Sequence, residues 1–313
     1  MIYHITTTDG WEKARREGLY RAGSLETQGF IHCSGGHQVV RVANALFAGR
    51  QGLALLRIDP ALLMSKVVYE STSGDSEPFP HVYGPINVEA VVQVLPFAPG
   101  PEGGFDHFRI VLTLLEFQQI ETERLILRPY RPADAPRIQK LAGHRDVAKT
   151  VSSLPHPYED GMAEEWIEVA LKSLKQGRSL HLAIALKNEF LGEGAGPGDA
   201  VEADHDGLFI GSIGLEINHL ANAAELGYWL GVPYWNRGYT TEAARAMLAY
   251  GFEKLGLNRI QARHMESNPA SGRVMQKIGM TYEGTLRQST YRFGEFHDLH
   301  MYSILREEFE AAR

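Results

Sequence analysis

Between Ala224 and Ala249 the chain passes from an apolar strand, Ala224-Glu-Leu-Gly-Tyr-Trp-Leu230, through a glycine-bearing turn, Gly231-Val-Pro-Tyr-Trp-Asn-Arg-Gly238, into an amphipathic helix that opens Tyr239-Thr-Thr-Glu-Ala. A strand delivered through a short turn to a helix N-terminus demands a sheet with a helix packed on it. The first helical turn has free backbone N–H groups and the positive end of the dipole, so it is a natural cradle for a diphosphate. Gly238 would let a phosphate approach the backbone with no Cβ in the way. The plainer reading is turn chemistry alone, because glycine is common at such turns.

The rest of the C-terminal two-thirds extends this pattern. Helical stretches are expected over 133–143 and 162–176. Strands are expected at 181–186, 208–217 and 223–230, then a helix over 240–255, a strand at 260–265, a short helix at 270–278, and strands near 281–291 and 297–305. Mixed strands and helices in this order predict an α/β (α+β) sheet with helices on it. At 313 residues two domains are the better expectation than one. The seam falls in the Pro- and Gly-rich run Ala98-Pro-Gly-Pro-Glu-Gly-Gly-Phe-Asp106. This divides the chain into a small α+β domain (1–106), a connecting strand (107–118, its apolar run Phe108–Phe117) and a larger domain (119–313). Residues 192–207 hold several glycines and acids between two apolar runs, which predicts a long hairpin loop, solvated or closing over a site.

Five segments lie in an order that resembles the GNAT superfamily of N-acetyltransferases, most of all the subgroup that acetylates ribosomal-protein N-termini. Thr122-Glu-Arg-Leu-Ile-Leu-Arg128 resembles its opening strand, and Ala224–Leu230 its central strand. Trp235-Asn-Arg-Gly238-Tyr-Thr240 resembles its coenzyme turn, Gln/Arg-x-x-Gly-x-Gly/Ala, with Thr240 departing from the final small residue. Asn268-Pro-Ala-Ser271 through Lys277-Ile-Gly-Met280 resembles the segment that follows, and Glu283-Gly-Thr-Leu-Arg287 the ending. The resemblance covers roughly 190 residues and implies a mixed, splayed central sheet, with acetyl-CoA as donor and a primary amine as acceptor.

It also implies roles. Backbone groups of Tyr228, Trp229 and Leu230 would hydrogen-bond the pantetheine arm, and Trp235, Asn236, Arg237, Gly238, Tyr239, Thr240 and Thr241 would form the diphosphate cradle. Glu225 is the candidate base; the alternative is a strand-edge carboxylate paired with Arg or Lys. Asn268 would orient the pantetheine or the acetyl carbonyl, or cap the following helix, and both roles are compatible. Ser271 is the candidate proton donor to sulfur, also explicable as a helix-start serine, with Tyr282 and Tyr302 as further donors. Trp166, Tyr158 and His156 fall where relatives build the acceptor pocket, with core packing the competing role for the tryptophan.

Residues 1–105 carry Tyr3-His-Ile-Thr6, Gly29-Phe-Ile-His-Cys-Ser34 followed by Gln38, and Phe79-Pro-His-Val-Tyr-Gly-Pro85. This pattern resembles a family of small bacterial domains of unknown function. Three readings compete. One is an ADP-ribosyltransferase-like fold binding NAD or a related nucleotide, with His4 on the ribose and His32, Ser34 and Glu70 completing a cleft. Another is a metal site from His4, His32 and His81, although no close histidine spacing supports it. The last is an inert accessory module whose histidines are satisfied by hydrogen bonds. Cys33, the one cysteine, excludes an internal disulfide, and in an apolar strand it is expected to be buried and inert.

A formal net charge of −7 gives no general attraction to nucleic acid or anionic membrane. No apolar run approaches the ~20 residues of a membrane-spanning helix, and the start lacks signal-peptide character, so a cytoplasmic location is expected. The acceptor stays open among a protein N-terminus, a free amino acid, a polyamine and an amine-bearing antibiotic. Oligomeric state stays open too, a homodimer included. A different class, an acetyl-CoA sensor acting on the N-terminal domain without turnover, also fits the motifs.

Overall fold

The computed structural model describes residues 1–71, 77–191, 203 and 205–312, which fall into two compact units, Met1–Leu112 and Thr113–Arg313. The expected loop at 192–207 lies mostly outside the described residues.

Among its described residues the N-terminal unit has eight strands: β1 (Ile2–Thr7), β2 (Leu19–Tyr20), β3 (Ile31–His32), β4 (Leu53–Ile58), β5 (Lys66–Glu70), β6 (Phe79–Tyr83), β7 (Ile86–Asn87) and β8 (Val91–Phe97). They form two three-stranded sheets, β1-β4-β8 and β3-β6-β5, and the pair β2-β7. A bridge between Tyr3 and Ser34 links the two sheets. Ile31, Cys33 and Val82 point into a core with Ile2, Trp11, Leu56 and Ile58. Alternation then turns His32 and His81, which are register partners, to the opposite face.

The C-terminal unit is built on one eight-stranded sheet. Its strands are β9 (Ile120–Glu121), β10 (Leu125–Arg128), β11 (Ser179–Leu186), β12 (Leu208–Asn218), β13 (Ala223–Leu230), β14 (Arg259–Met265), β15 (Thr281–Arg292) and β16 (Glu295–Leu305). The spatial order is β15-β16-β14-β13-β12-β11-β10-β9. β11 and β12 read as nearly unbroken apolar runs and are buried along most of their length, as strands covered on both faces must be. Every pair is antiparallel except β13–β14, which is parallel and registered only at Ala223↔Arg259, Ala224↔Ile260 and Glu225↔Gln261. Beyond Glu225 the two strands part, giving the mixed, splayed sheet that the family resemblance implied.

One expected element is corrected. The apolar run at 108–117 is not a strand but an α-helix, Phe108–Leu115. Phe108, Ile110, Val111, Leu112 and Leu114 are all buried, and a short continuous apolar run of that kind suits a buried helix as well as a buried strand. A short helix at Arg145–Thr150 was not anticipated either. No described helix is long and apolar enough to cross a membrane.

Candidate active site

The parting of β13 and β14 opens a cavity of about 440 Å³, within the usual range for small-molecule sites. One wall is β13 from Glu225 to Leu230, whose edge toward β14 has no strand to bond from Leu226 onward. The other wall carries Arg263, His264 and Met265 of β14, then Asn268 and Ser271 at the head of the Pro269–Lys277 helix. The cavity ends on Trp235, Asn236, Gly238, Tyr239, Thr240 and Thr241.

That end has the geometry of an anion cradle. Gly238 sits at φ +81°, in the left-handed region that favours glycine, and the helix Tyr239–Ala249 starts at once after it. The amides of Tyr239, Thr240 and Thr241 therefore have no intrahelical acceptor. Trp235 braces the turn by donating Nε1–H to the Leu230 carbonyl at 2.8 Å. Arg237 does not line the cavity. Its carbonyl instead accepts from Nη1 of Arg124 at 3.0 Å.

Arg124 and Glu242 were missed by sequence reasoning. The Glu242 carboxylate accepts from the Thr122 hydroxyl (2.6 Å), the Arg124 amide (2.8 Å) and Arg124 Nε (2.7 Å). Burial alone would raise its pKa, yet these donors hold it below the usual carboxylate range. An acid in the first turn of a helix disfavours an anion there, and Arg124 offsets the Glu242 charge. The same guanidinium lies over the Tyr239 ring at 4.6 Å, and its Nη2 is 3.4 Å from where a Cβ on Gly238 would stand. Only the Thr122-Glu-Arg motif hinted at this, since the partners are separated by 118 residues.

Along the middle of the cavity, the Tyr228 hydroxyl hydrogen-bonds Ser271 Oγ at 2.9 Å and donates to the Ser271 carbonyl at 3.2 Å. Burial pushes the Tyr228 phenol up to about 12, so it stays protonated at neutral pH. Asn268 caps its helix, its Oδ1 accepting from the Ser271 amide at 3.3 Å, and its Nδ2 reaches the Thr150 carbonyl at 3.4 Å. His264 donates Nδ1–H to the Met265 carbonyl (2.8 Å), which leaves Nε2 as a lone pair. Among the described residues nothing bonds that nitrogen, and it packs where a Cβ on Gly272 would stand. Burial lowers the His264 pKa.

Glu225 lines the cavity and is paired with Arg263 Nε at 2.9 Å, with Gln261 donating at 3.4 Å. The paired strand-edge arrangement is what the structure shows, on the cavity wall rather than away from it. The other donors stand apart. Tyr282 is half exposed and bonded to the Thr285 hydroxyl, and Tyr302 is buried against Gln276; neither lines the cavity. The three residues named near an acceptor do not line this cavity. Trp166 packs edge-on to His181 and Tyr130, and His156 lies against Phe293, both outside the cavity, as is Tyr158. Thr150, Val151, Ser152 and Ser153 line it instead.

In the N-terminal unit, His4 is buried with both ring nitrogens engaged. Nδ1–H donates to the His32 carbonyl (2.7 Å) and Nε2 accepts from the Tyr20 hydroxyl (2.9 Å). The ribose-holding role implied for His4 therefore has no spare nitrogen. Ser34 is committed through its backbone to Tyr3. His32, Glu70 and His81 do come together. His81 Nδ1 bonds Glu70 (2.9 Å), His32 lies edge-on to His81, Phe30 stacks over His81 at 4.2 Å, and His32 Nε2 bonds Gln28 at 2.8 Å. Among the described residues no group of three or more His, Cys, Asp or Glu is placed to hold a metal ion, which overturns the three-histidine reading. Cys33 is buried, and burial raises its pKa far above the ordinary thiol value, which disfavours the reactive thiolate.

Comparison with known proteins agrees with this geometry. The family model described as "Acetyltransferase (GNAT) domain" matches residues 124–281, just over half of the chain. One described as "Protein of unknown function (DUF952)" matches residues 5–94. The uncharacterized N-acetyltransferase YoaA of Bacillus subtilis (strain 168) is 30% identical over 191 residues, 61% of this chain and 98% of its own length. YnaD of the same organism, also an uncharacterized N-acetyltransferase, is 30% identical over 189 residues, 60% of this chain and 98% of its own. The crystal structure of a probable acetyltransferase matches with a TM-score of 0.50 at 25% identity, covering 61% of this chain and 98% of that one. RimL, a ribosomal L7/L12 alpha-N-protein acetyltransferase solved with coenzyme A, shares the fold at TM-score 0.50 and 17% identity, over 60% of this chain and 98% of that one. With its splayed sheet, glycine turn and relatives along nearly their full length, the chain belongs to the GNAT acetyltransferase family, an acyltransferase joined to an N-terminal domain of unknown function.

Proposed function

We propose that residues 119–313 transfer acetyl from acetyl-CoA directly to a primary amine, with 107–118 as the connection to a separate domain over 1–106. The observation that carries this is the parting of β13 and β14 over a cavity that ends on the Gly238 turn. Its residues fit the coenzyme. The diphosphate would rest on the amides of Tyr239–Thr241 beside Arg124, and the pantetheine arm would complete the open edge of β13 at Tyr228–Leu230.

The amine nitrogen attacks the thioester carbonyl; the C–N bond forms as the C–S bond breaks. The amine must shed a proton and the departing thiolate must gain one. Glu225 takes the first, through water, from an acceptor arriving between Thr150–Ser153 and Arg263. Its pairing with Arg263 holds the carboxylate on the cavity wall. The Tyr228–Ser271 pair supplies the second, because a phenol held protonated by burial can pass a proton through the serine hydroxyl. Backbone N–H groups on the open edge of β13 stabilise the oxyanion. An amino acid, a protein N-terminus or a polyamine each presents the required nucleophile.

The test is thioester consumption with a panel of amines. Steady turnover with at least one amine, lowered about a hundredfold in Glu225→Gln, is expected. Tight acetyl-CoA binding without turnover across the panel would favour the sensor. Unchanged turnover in Glu225→Gln removes Glu225 as the base.

A further inference from the structure

The main cavity runs on, past Gly238, into a second groove. The two share Gly238, Thr241 and Lys277, and the groove adds Thr122, Glu123, Arg124, Glu242, Arg245 and Ala246. Arg245 stands on the Tyr239–Ala249 helix about two turns beyond Gly238. Lys277 is the last residue of the Pro269–Lys277 helix. The two helices hold the guanidinium in place, since Arg245 Nη2 donates to the Lys277 carbonyl at 3.0 Å. Among the described residues neither Arg245 nor Lys277 makes an ion pair. Glu242, by contrast, is already bound to Arg124, which leaves exposed Glu123 as the remaining carboxylate of the groove. A chain of net charge −7 thus places two uncompensated cations at the far end of its diphosphate cradle.

We propose that Arg245 and Lys277 form a subsite for the 3′-phosphate of the coenzyme, so that the protein distinguishes CoA from its 3′-dephospho form. The inference rests on the acetyl-CoA reading and deepens it. A phosphomonoester carries roughly −1.5 to −2 charges at neutral pH and three strong acceptor oxygens. A guanidinium meets these through paired N–H groups and an ammonium as a point charge. The groove begins where the diphosphate would lie, so a phosphate on the adjoining ribose enters it without passing a competing acid other than Glu123. The main cavity alone gives no reason for two lone cations there, since the diphosphate is already served by helix amides and Arg124.

The experiment is calorimetric titration of the full chain with CoA and with 3′-dephospho-CoA. The wild type is expected to bind CoA about tenfold more tightly, a preference that narrows as salt rises. Lys277→Gln, which leaves the carbonyl bond to Arg245 intact, should cut the preference to about threefold. Arg245→Gln should do the same and the double variant should abolish it, with affinity for 3′-dephospho-CoA unchanged throughout. Equal binding of both ligands by the wild type overturns the subsite while leaving the coenzyme reading standing. So does a parallel loss for both ligands in Lys277→Gln. Failure of the wild type to bind either ligand overturns both.

Discussion

In the N-terminal unit His4 is bonded at both nitrogens inside the fold. His81 is held at Nδ1 by Glu70 under the Phe30 ring, and among the described residues its buried Nε2 has no partner. In the C-terminal unit comparable groups line a cavity: His264 keeps a nitrogen without a partner, the Tyr228–Ser271 pair faces the open edge of β13, and Gly238 presents bare backbone. Histidine in an apolar strand occurs in both, so residue type does not separate them. The difference lies in whether the sheet closes. β1, β4 and β8 pair along their lengths, whereas β13 and β14 pair at one end and then diverge. Beside the closed sheet His4 finds both partners inside the fold, and a polar group beside a parted sheet is open to a ligand.

The sharpest way to break this contrast is Gly238→Asp. An aspartate there adds a left-handed-region penalty and a negative charge at the cradle, together roughly 4 kcal/mol, or about a thousandfold in acetyl-CoA affinity. Calorimetry should show binding lost, while amide exchange in β1 and β4 is unaltered. Retained binding would mean that the turn is not the coenzyme site.

A smaller effect belongs to the N-terminal unit. Burial drives the His4 pKa down from 6.5 to about 4, against the bond to the His32 carbonyl. Folded His4 therefore stays neutral where unfolded His4 is already protonated. The stability it supports is complete above pH 6.5 and drains away as pH falls to about 4, by roughly 3 kcal/mol over that window. Hydrogen exchange of β1 amides, corrected for intrinsic rates, should show this slope in wild type and a flat profile in His4→Gln. A flat wild-type profile would mean that His4 is not the satisfied, neutral strut described above.

Tyr228→Phe and Ser271→Ala come next. Each should lower kcat about tenfold to a hundredfold with acetyl-CoA affinity retained, and the double variant should lose no more than the worse single one, because the two act as one relay. Additive losses would place them on separate tasks.

What was legible in the sequence follows from the same contrast. The strand, turn and helix at 224–249 are local, set by apolar periodicity and a glycine, and the structure holds them where the pattern puts them. The run at 108–115 has no alternation to distinguish helix from strand, and it was misread. Side-chain pairing was least legible. Glu225 could be named from its place in an apolar strand, but its partner Arg263 lies on a strand brought alongside only by the parallel crossover. Arg124 and Glu242 meet for the same reason. Trp166 drew attention by its place in the family pattern, with packing as the competing role; it packs edge-on to His181 and Tyr130, and Thr150–Ser153 line the cavity wall.

The smallest effect sharpens the comparison from the acid side. Glu283 on β15 accepts from both terminal nitrogens of Arg259 and, at 2.7 Å, from the Ser303 hydroxyl. The Arg259 bonds, then the serine, hold its pKa down to about 2. A depressed carboxylate gives stability that is full above its unfolded pKa, near 4.3, and is lost as pH falls through the folded value. The pair is more than a third exposed on the glutamate side, so solvent screening limits its contribution to about 1 kcal/mol. Glu283→Gln should cost that much at neutral pH and flatten the acid slope of exchange in β14 and β16 between pH 4.3 and 2, with no change between 6.5 and 4.3. Wild-type protein should then lose protection in β1 first on acidification and in β14 only afterwards. Simultaneous loss in both would show that the two units unfold as one, whatever their separate chemistry.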